Sequence, residues 1–181
     1  MKIPYMAKRI LKKQGTIGIL ILLCLSVIFT IIDKESIFDT LSKEISGKVI
    51  KIYDGDTITL LHDNKRLKIR LYGIDAPESN QNYGRESQEN LLNLCPLDSQ
   101  ATLKIKDKDK YGRIVAIVLC NDINVNAEQV KNGYAWAYRE YSNAYTHLEI
   151  KARVEKKGLW RQKNPVKPSE FRKNLIRDKV L

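Results

Sequence analysis

Residues 47–79 read GKVIKIYDGDTITLLHDNKRLKIRLYGIDAPES, and this stretch decides the fold. Ile50 and Ile52 alternate with Lys51, Ile58 and Leu60 with Thr57 and Thr59, and Leu67, Ile69 and Leu71 with Lys68 and Arg70. A period of two sends successive side chains to opposite faces, so each run predicts a half-buried strand. Asp54-Gly55 is a turn signal between the first two runs, and His62 to Lys65 is a polar hairpin tip between the second and third.

Downstream, the polar stretch Ser79 to Ser87 opens a helix that continues from Gln88 to Leu94. Strands resume at Ala101 to Lys106 and at Ile114 to Leu119, separated by the charged loop Asp107 to Arg113. Two helices follow. Asn124 can cap the first, and Gly133 suits the position just past its end. The second is expected from about Asn143 to Lys157, with Tyr145, Leu148 and Ala152 on one face and Gly158 as its stop. Leu159 and Trp160 are expected to pack back onto the core.

Three strands, a helix, two strands and further helices over residues 47–160 predict a β-rich α+β domain. The architecture is an OB-fold, a five-stranded Greek-key barrel with three helices. Residues 33–46 read as a linker, and the basic tail 161–181, with Pro165 and Pro168, as loosely ordered. OB barrels commonly hold oligonucleotides, but a fold does not by itself give a function.

The N-terminus carries a topological signal. Residues 1–32 contain Lys2, Lys8, Arg9, Lys12 and Lys13 and no acid, and Thr16 to Ile32 is an uncharged apolar run. Residues 1–15 are the basic n-region, and 16–32 form an apolar helix that is either a transmembrane signal anchor or a signal peptide. No small-x-small cleavage pattern precedes Asp33, which favours the anchor; cleavage and secretion are the alternative. The positive-inside rule then puts everything after Asp33 outside the cytoplasm. Cys24 lies inside the apolar run and reads as a lipid-facing or buried thiol.

The whole chain has a formal charge of +11, with 43% hydrophobic residues that exclude wholesale disorder. Setting aside the five N-terminal cations leaves 27 basic side chains against 21 acidic, a net of +6 for the remainder. That excess suits a polyanionic partner and equally suits a solvated surface. His62 and His147 stand alone, and no His, Cys or Asp grouping has zinc spacing. No glycine-rich phosphate loop and no Ser/His/Asp pattern is present. Cys95 and Cys120 are the remaining cysteines, an even number that suits a disulfide in an oxidising compartment; two buried free thiols are the other reading.

The charged residues of 53–79 form an unusual set. Asp56 follows a glycine turn, Arg70 lies on the polar side of a strand, and Asp75 and Glu78 flank Ala76-Pro77 where that strand ends. A second charged turn, Asp109-Lys110-Tyr111-Gly112-Arg113, comes later. The segments YDGDTITL, KIRLYGIDAPES and DKYGR resemble, in order and spacing, the three signature segments of the staphylococcal (micrococcal) nuclease family, over about residues 47–160. GYAWAYREYS, EIKARVEKKGLW and PVKPSEFRK are similar to segments of exported and plasmid-borne homologues, which also carry two cysteines placed like Cys95 and Cys120.

The resemblance implies a calcium-dependent phosphodiesterase acting on DNA and RNA; the chain is expected to be a monomer and to reach a membrane through its N-terminal helix if that helix is uncleaved. Ca²⁺ takes oxygen ligands, and the family pattern implies the Asp56 and Asp75 carboxylates with the backbone carbonyl of Ala76. The family has Thr at that last position, so a hydroxyl that helps orient water is missing here. Glu78 is the implied general base for the attacking water. Arg70 and Arg113 are the implied clamps on the scissile phosphate, since guanidinium groups offer paired donors and stay charged. Tyr111 and Tyr138 are placed like substrate-contacting tyrosines, with Tyr141 as a rival for the second. A non-catalytic OB module binding nucleic acid at the cell envelope is the alternative. The retained carboxylates and arginines argue against it.

Overall fold

The computed structural model describes residues 44–178. The apolar run 16–32, read as an anchor or signal, and most of the proposed linker lie outside them. Among the described residues, no helix is long and apolar enough to cross a membrane.

Strands β1 (Glu44–Ile52), β2 (Thr57–His62) and β3 (Lys65–Leu71) form an antiparallel meander. β1 begins three residues ahead of the expected boundary at 47. Glu44 to Ser46 pair with Lys104 to Thr102 of β5 (Gln100–Lys108), so the end of the linker is already strand. β5 pairs antiparallel with β6 (Ile114–Cys120), and β6 runs parallel to β3 through Ile69–Ile114, Arg70–Val115 and Leu71–Ala116. That parallel pairing closes the five long strands into an OB-fold barrel, as the alternating runs imply. The short β4 (Ile74–Asp75) leaves the barrel to pair with β8 (Trp136–Ala137), and β7 (Ile123–Asn124) extends the β6 edge.

The inward positions are the apolar members of the alternations in β2 and β3; in β1 a register shift between Val49 and Lys51 makes Val49 the buried residue, and the expected Ile50 and Ile52 are only partly buried. Val49, Ile58, Leu60, Ile69 and Leu103 are fully buried. Burial of a side chain of this size stabilises by about 1.5–3 kcal/mol relative to exposure. One face of helix α1 (Gly84–Leu94) covers the barrel through Ser87 and Leu91. Helix α2 (Val125–Lys131) starts at Asn124, whose side chain accepts the Ala127 N–H, and ends ahead of Gly133 at φ +75°. Helix α3 (Thr146–Val154) is shorter at both ends than expected. Lys156 adopts φ +51°, which stops the helix before Gly158 and lets Gly158–Arg161 wind into a short 3₁₀ turn. Leu159 and Trp160 are buried, Trp160 edge-to-face on Trp136.

Two features bear on the site. Cys95, just past α1, is bonded to Cys120 at the end of β6, with Cα atoms 5.4 Å apart and both residues fully buried. The tail is not loosely ordered over its length: Pro168–Asp178 form helix α4. Gln81 Nε2 donates to the Val166 carbonyl at 2.7 Å and Asn82 Nδ2 to Gln162 Oε1 at 3.1 Å, so the segment ahead of the helix is tied to the loop after Glu78.

Candidate active site

The site assembles where β2, β3 and β4 meet. Asp54-Gly55-Asp56 turns the chain into β2, with the Asp54 carboxylate accepting the Asp56 N–H at 2.9 Å. Gly55 is required by close approach: a Cβ there would lie 1.7 Å from Ser87 Oγ and 2.8 Å from the Ala76 Cβ. Buried Gln129 of α2 donates to the Gly55 carbonyl at 2.7 Å and to the Ser87 carbonyl at 3.0 Å, so barrel, α1 and α2 together hold the turn.

Asp56 is 5% exposed and Asp75 4% exposed, and both face Arg70. Arg70 Nη1 lies 2.9 Å from Asp56 Oδ2, and Nη2 lies 2.9 Å from Asp75 Oδ1. One guanidinium therefore spans two carboxylates whose like charges would otherwise repel. Asp56 also accepts the Ala76 N–H at 2.6 Å and the Thr57 hydroxyl at 3.0 Å. That bond fixes the backbone at Ala76 against the carboxylate.

Burial, then the neighbouring Asp56 charge, raises the Asp75 carboxyl above the ordinary carboxylate range, against the pull of Arg70 and Arg172. The same two causes push Asp54 up to about 7. Burial and like charge make ionised carboxylates costly here, and a bound hard cation relieves that cost. The donors are all oxygen, which suits Ca²⁺ or Mg²⁺ and not a soft metal. Among the described residues, no three His, Cys, Asp or Glu side chains form a closed cage, so further oxygens would come from backbone, water or a bound phosphate.

Glu78 lies at the rim of this group, its side chain 32% exposed. The Pro77-Glu78 segment is held by the turn Gln81 N–H to Glu78 carbonyl, 2.8 Å, and by the Glu78 N–H to Gln81 Oε1, 3.2 Å. Arg113 comes from the turn between β5 and β6, at the start of the strand that pairs with β3. Asp109 shapes that turn by accepting the N–H groups of Tyr111 and Arg113, each at 2.9 Å, and Arg113 Nε at 2.6 Å. Burial opposes ionisation of Asp109, but the bonds from Arg113 and Tyr111 outweigh it and hold its carboxyl below the usual range.

One cleft is lined by Arg70, Asp109, Arg113, Tyr138 and Tyr141. The two arginines are thus brought together. Tyr138 and Tyr141 both line the cleft, with near-parallel rings 6.0 Å apart. Tyr141 donates to Asp107 at 3.0 Å. Tyr111 is 74% exposed on the turn, with the Arg113 guanidinium 5.7 Å from its ring, and lies outside the cleft.

Two participants went unread in the sequence. Asp54 sits two residues before Asp56 in the quoted DGD, where an Asx turn was the available signal. Arg172 carries no local signal. It reaches Asp75 and Glu78 from α4, 97 and 94 residues away in the chain.

Comparison with known proteins follows this geometry. Residues 68–162 match the model of the family described as staphylococcal nuclease homologue. An uncharacterized endonuclease of Haemophilus influenzae is 38% identical over 157 residues, which cover 85% of each chain. An uncharacterized endonuclease of Escherichia coli is 39% identical over 131 residues, covering 71% of this chain and 85% of that protein. A micrococcal nuclease of Shigella flexneri is 33% identical over 143 residues, covering 72% and 82%. With its barrel, its carboxylates gathered on Arg70 and these matches spanning most of its length, the chain belongs to the staphylococcal nuclease family.

Proposed function

We propose that the protein is an exported, Ca²⁺-dependent endonuclease that hydrolyses phosphodiester bonds of DNA and RNA. The observation that carries this reading is the pair of buried carboxylates, Asp56 and Asp75, gathered on Arg70, with Glu78 at their rim and Arg113 in the same cleft as Arg70. The endonuclease and nuclease names of the relatives agree with it. Export is supported by the basic, then apolar, N-terminus and by the Cys95–Cys120 bond, since such bonds persist in oxidising compartments.

Asp56, Asp75 and the Ala76 carbonyl would hold the cation. Bound there, Ca²⁺ supplies fixed positive charge beside a phosphate oxygen. Glu78 takes a proton from the attacking water. The water oxygen bonds to phosphorus as the bond from phosphorus to the 5′ oxygen breaks. The departing oxygen takes a proton from solvent, leaving a 3′-phosphate and a 5′-hydroxyl. Arg70 and Arg113 donate to the phosphate oxygens, where negative charge concentrates in the crowded transition state. Tyr138 and Tyr141 offer ring faces and hydroxyls to the adjoining nucleotide, and Tyr111 an exposed ring. Base discrimination is expected to be slight, because these contacts address phosphate and π-faces.

The full-length chain, purified in detergent, is tested on plasmid, single-stranded DNA and RNA with Ca²⁺ and then with chelator. Cleavage with Ca²⁺ that stops on chelation supports the reading. No Ca²⁺-dependent cleavage refutes it and leaves an OB module that binds without cutting. Glu78→Gln should lower turnover by about 10²–10⁴-fold.

A further inference from the structure

Arg172 lies on α4, beyond the matched family region, yet it touches the two carboxylates on which the proposed chemistry depends. Its Nη1 donates to Glu78 Oε1 at 2.6 Å, and its Nη2 to Asp75 Oδ2 at 3.1 Å. Nη1 also reaches Asp75 Oδ1 at 3.3 Å. The fork therefore bridges Asp75, buried in the site, to Glu78 at its rim. Among the described residues, Arg172 is the side chain bonded to the Glu78 carboxylate.

The placement is built, not incidental. Pro168 at the start of α4 is buried. Phe171, next to Arg172, lines a cleft together with Pro77, Trp136 and Leu159. The bonds from Gln81 to Val166 and from Asn82 to Gln162 tie the same tail to the loop that carries Glu78. Loop and helix are thus held as one unit, with the guanidinium aimed inward. The charges make sense of it too: Arg70 pairs with Asp56 and Asp75, and Arg172 is the cation paired with Glu78.

We propose that Arg172 is a positioning residue of the active site: its fork holds Glu78 in one orientation against Asp75, which makes the C-terminal helix an integral part of the catalytic unit. A glutamate on a half-exposed rim otherwise samples many rotamers, and a general base must stand within hydrogen-bond reach of the water it deprotonates. A displacement of about 1 Å costs on the order of 10²-fold in rate. A planar fork fixes two carboxylates in one geometry, which the flexible point charge of lysine does less well. The inference rests on the nuclease reading above.

The test uses the full-length chain with wild type, Arg172→Gln, Arg172→Lys, Glu78→Gln and the double variant Glu78→Gln/Arg172→Gln. Cleavage of a defined single-stranded oligonucleotide is followed with saturating Ca²⁺. Arg172→Gln should lose roughly 10–100-fold in kcat with KM changed by no more than about threefold, and Arg172→Lys should recover part of the loss. In the Glu78→Gln background, adding Arg172→Gln should change kcat by less than about threefold, because the group being positioned is already gone. Calorimetric titration with Ca²⁺ alone should show the Arg172→Gln chain binding at least as tightly as wild type, so that metal affinity and turnover part company.

Three results overturn the inference. One is wild-type kcat in Arg172→Gln. Another is a rise in kcat alongside tighter Ca²⁺ binding, which would make Arg172 an inhibitory plug. The third is an equal kcat loss in both backgrounds, which would make it a structural contact. If Arg172→Gln does not fold by thermal melting, Arg172→Lys carries the test, and its wild-type kcat overturns the idea. A wild type that cuts nothing refutes the nuclease reading and this inference together, whereas a cutting wild type with an unimpaired Arg172→Gln refutes this one alone.

Discussion

Arg70→Gln is the most informative single substitution, because its effects on stability and on chemistry can be separated. Arg70 makes charge-assisted bonds of 2.9 Å to Asp56 and to Asp75 with a side chain only 15% exposed. Bonds to charged groups contribute about 1.5–3 kcal/mol each, and breaking one partner out of a buried ion pair costs about 3–5 kcal/mol. Both carboxylates keep other donors: Asp56 the Ala76 N–H and the Thr57 hydroxyl, Asp75 the Arg172 fork. The lower end therefore applies, about 3 kcal/mol. For a domain of this size that is a fall in Tm of roughly 10 °C in metal-free buffer.

Ca²⁺ should then raise the Tm of Arg70→Gln more than that of wild type. A divalent ion between the carboxylates replaces the lost charge, and binding to the folded state alone stabilises it by linkage. Activity should not return with stability. Loss of one preorganised donor to the transition state costs about 10²–10³ in kcat, and a bound cation would supply charge but no N–H donor. Calorimetric or fluorescence melting with and without Ca²⁺, paired with oligonucleotide cleavage at saturating Ca²⁺, reads both effects. A metal-free Tm within 1–2 °C of wild type, or the same Ca²⁺ shift in both proteins, refutes the account of Arg70 as the cation that holds Asp56 and Asp75 together.

Three further outcomes are expected. On β3, Arg66 and Lys68 share the outward side with Arg70, and among the described residues neither pairs with a carboxylate; each changed to Gln should lower the log–log salt slope of DNA binding by about 1, measured at several ionic strengths with Ca²⁺ withheld. Replacing Cys95 and Cys120 together by Ser should cost about 3 kcal/mol, given a sequence separation of 25, read as a fall in Tm that reductant reproduces in wild type. Asp109→Asn should destabilise the β5–β6 turn at neutral pH. Because the folded carboxyl of Asp109 lies below its unfolded value near 4, its contribution is present above that value and is lost as pH falls through the folded one. The Tm gap between wild type and Asp109→Asn should therefore narrow below pH 4, and a gap that stays constant to pH 2 contradicts the assignment.

Reading the chain alone carries far where physics is local. Alternation of period two places Ile58, Leu60, Ile69 and Leu71 inward because a strand has no other way to bury them, and with two further strands closure into a barrel is the compact solution. Asn124 and Gly133 announce the ends of α2 by capping chemistry. Asp56, Arg70, Asp75, Glu78 and Arg113 stand in short segments whose spacing is itself the signal.

What escaped the sequence is long-range. A basic, proline-containing tail carries few apolar residues, so little in it announces that Pro168–Asp178 will dock; its partners Gln81, Asn82, Pro77 and Trp136 are all contributed from elsewhere. The parallel pairing of β3 with β6 brings Arg113 to Arg70, and the stacking of Tyr138 on Tyr141 puts both rings in one wall of the cleft. Residue type and local spacing determined which groups are able to do the chemistry. Only the closed barrel and the docked helix decided which of them share one field of charge, because electrostatics follows distance in space and not separation along the chain.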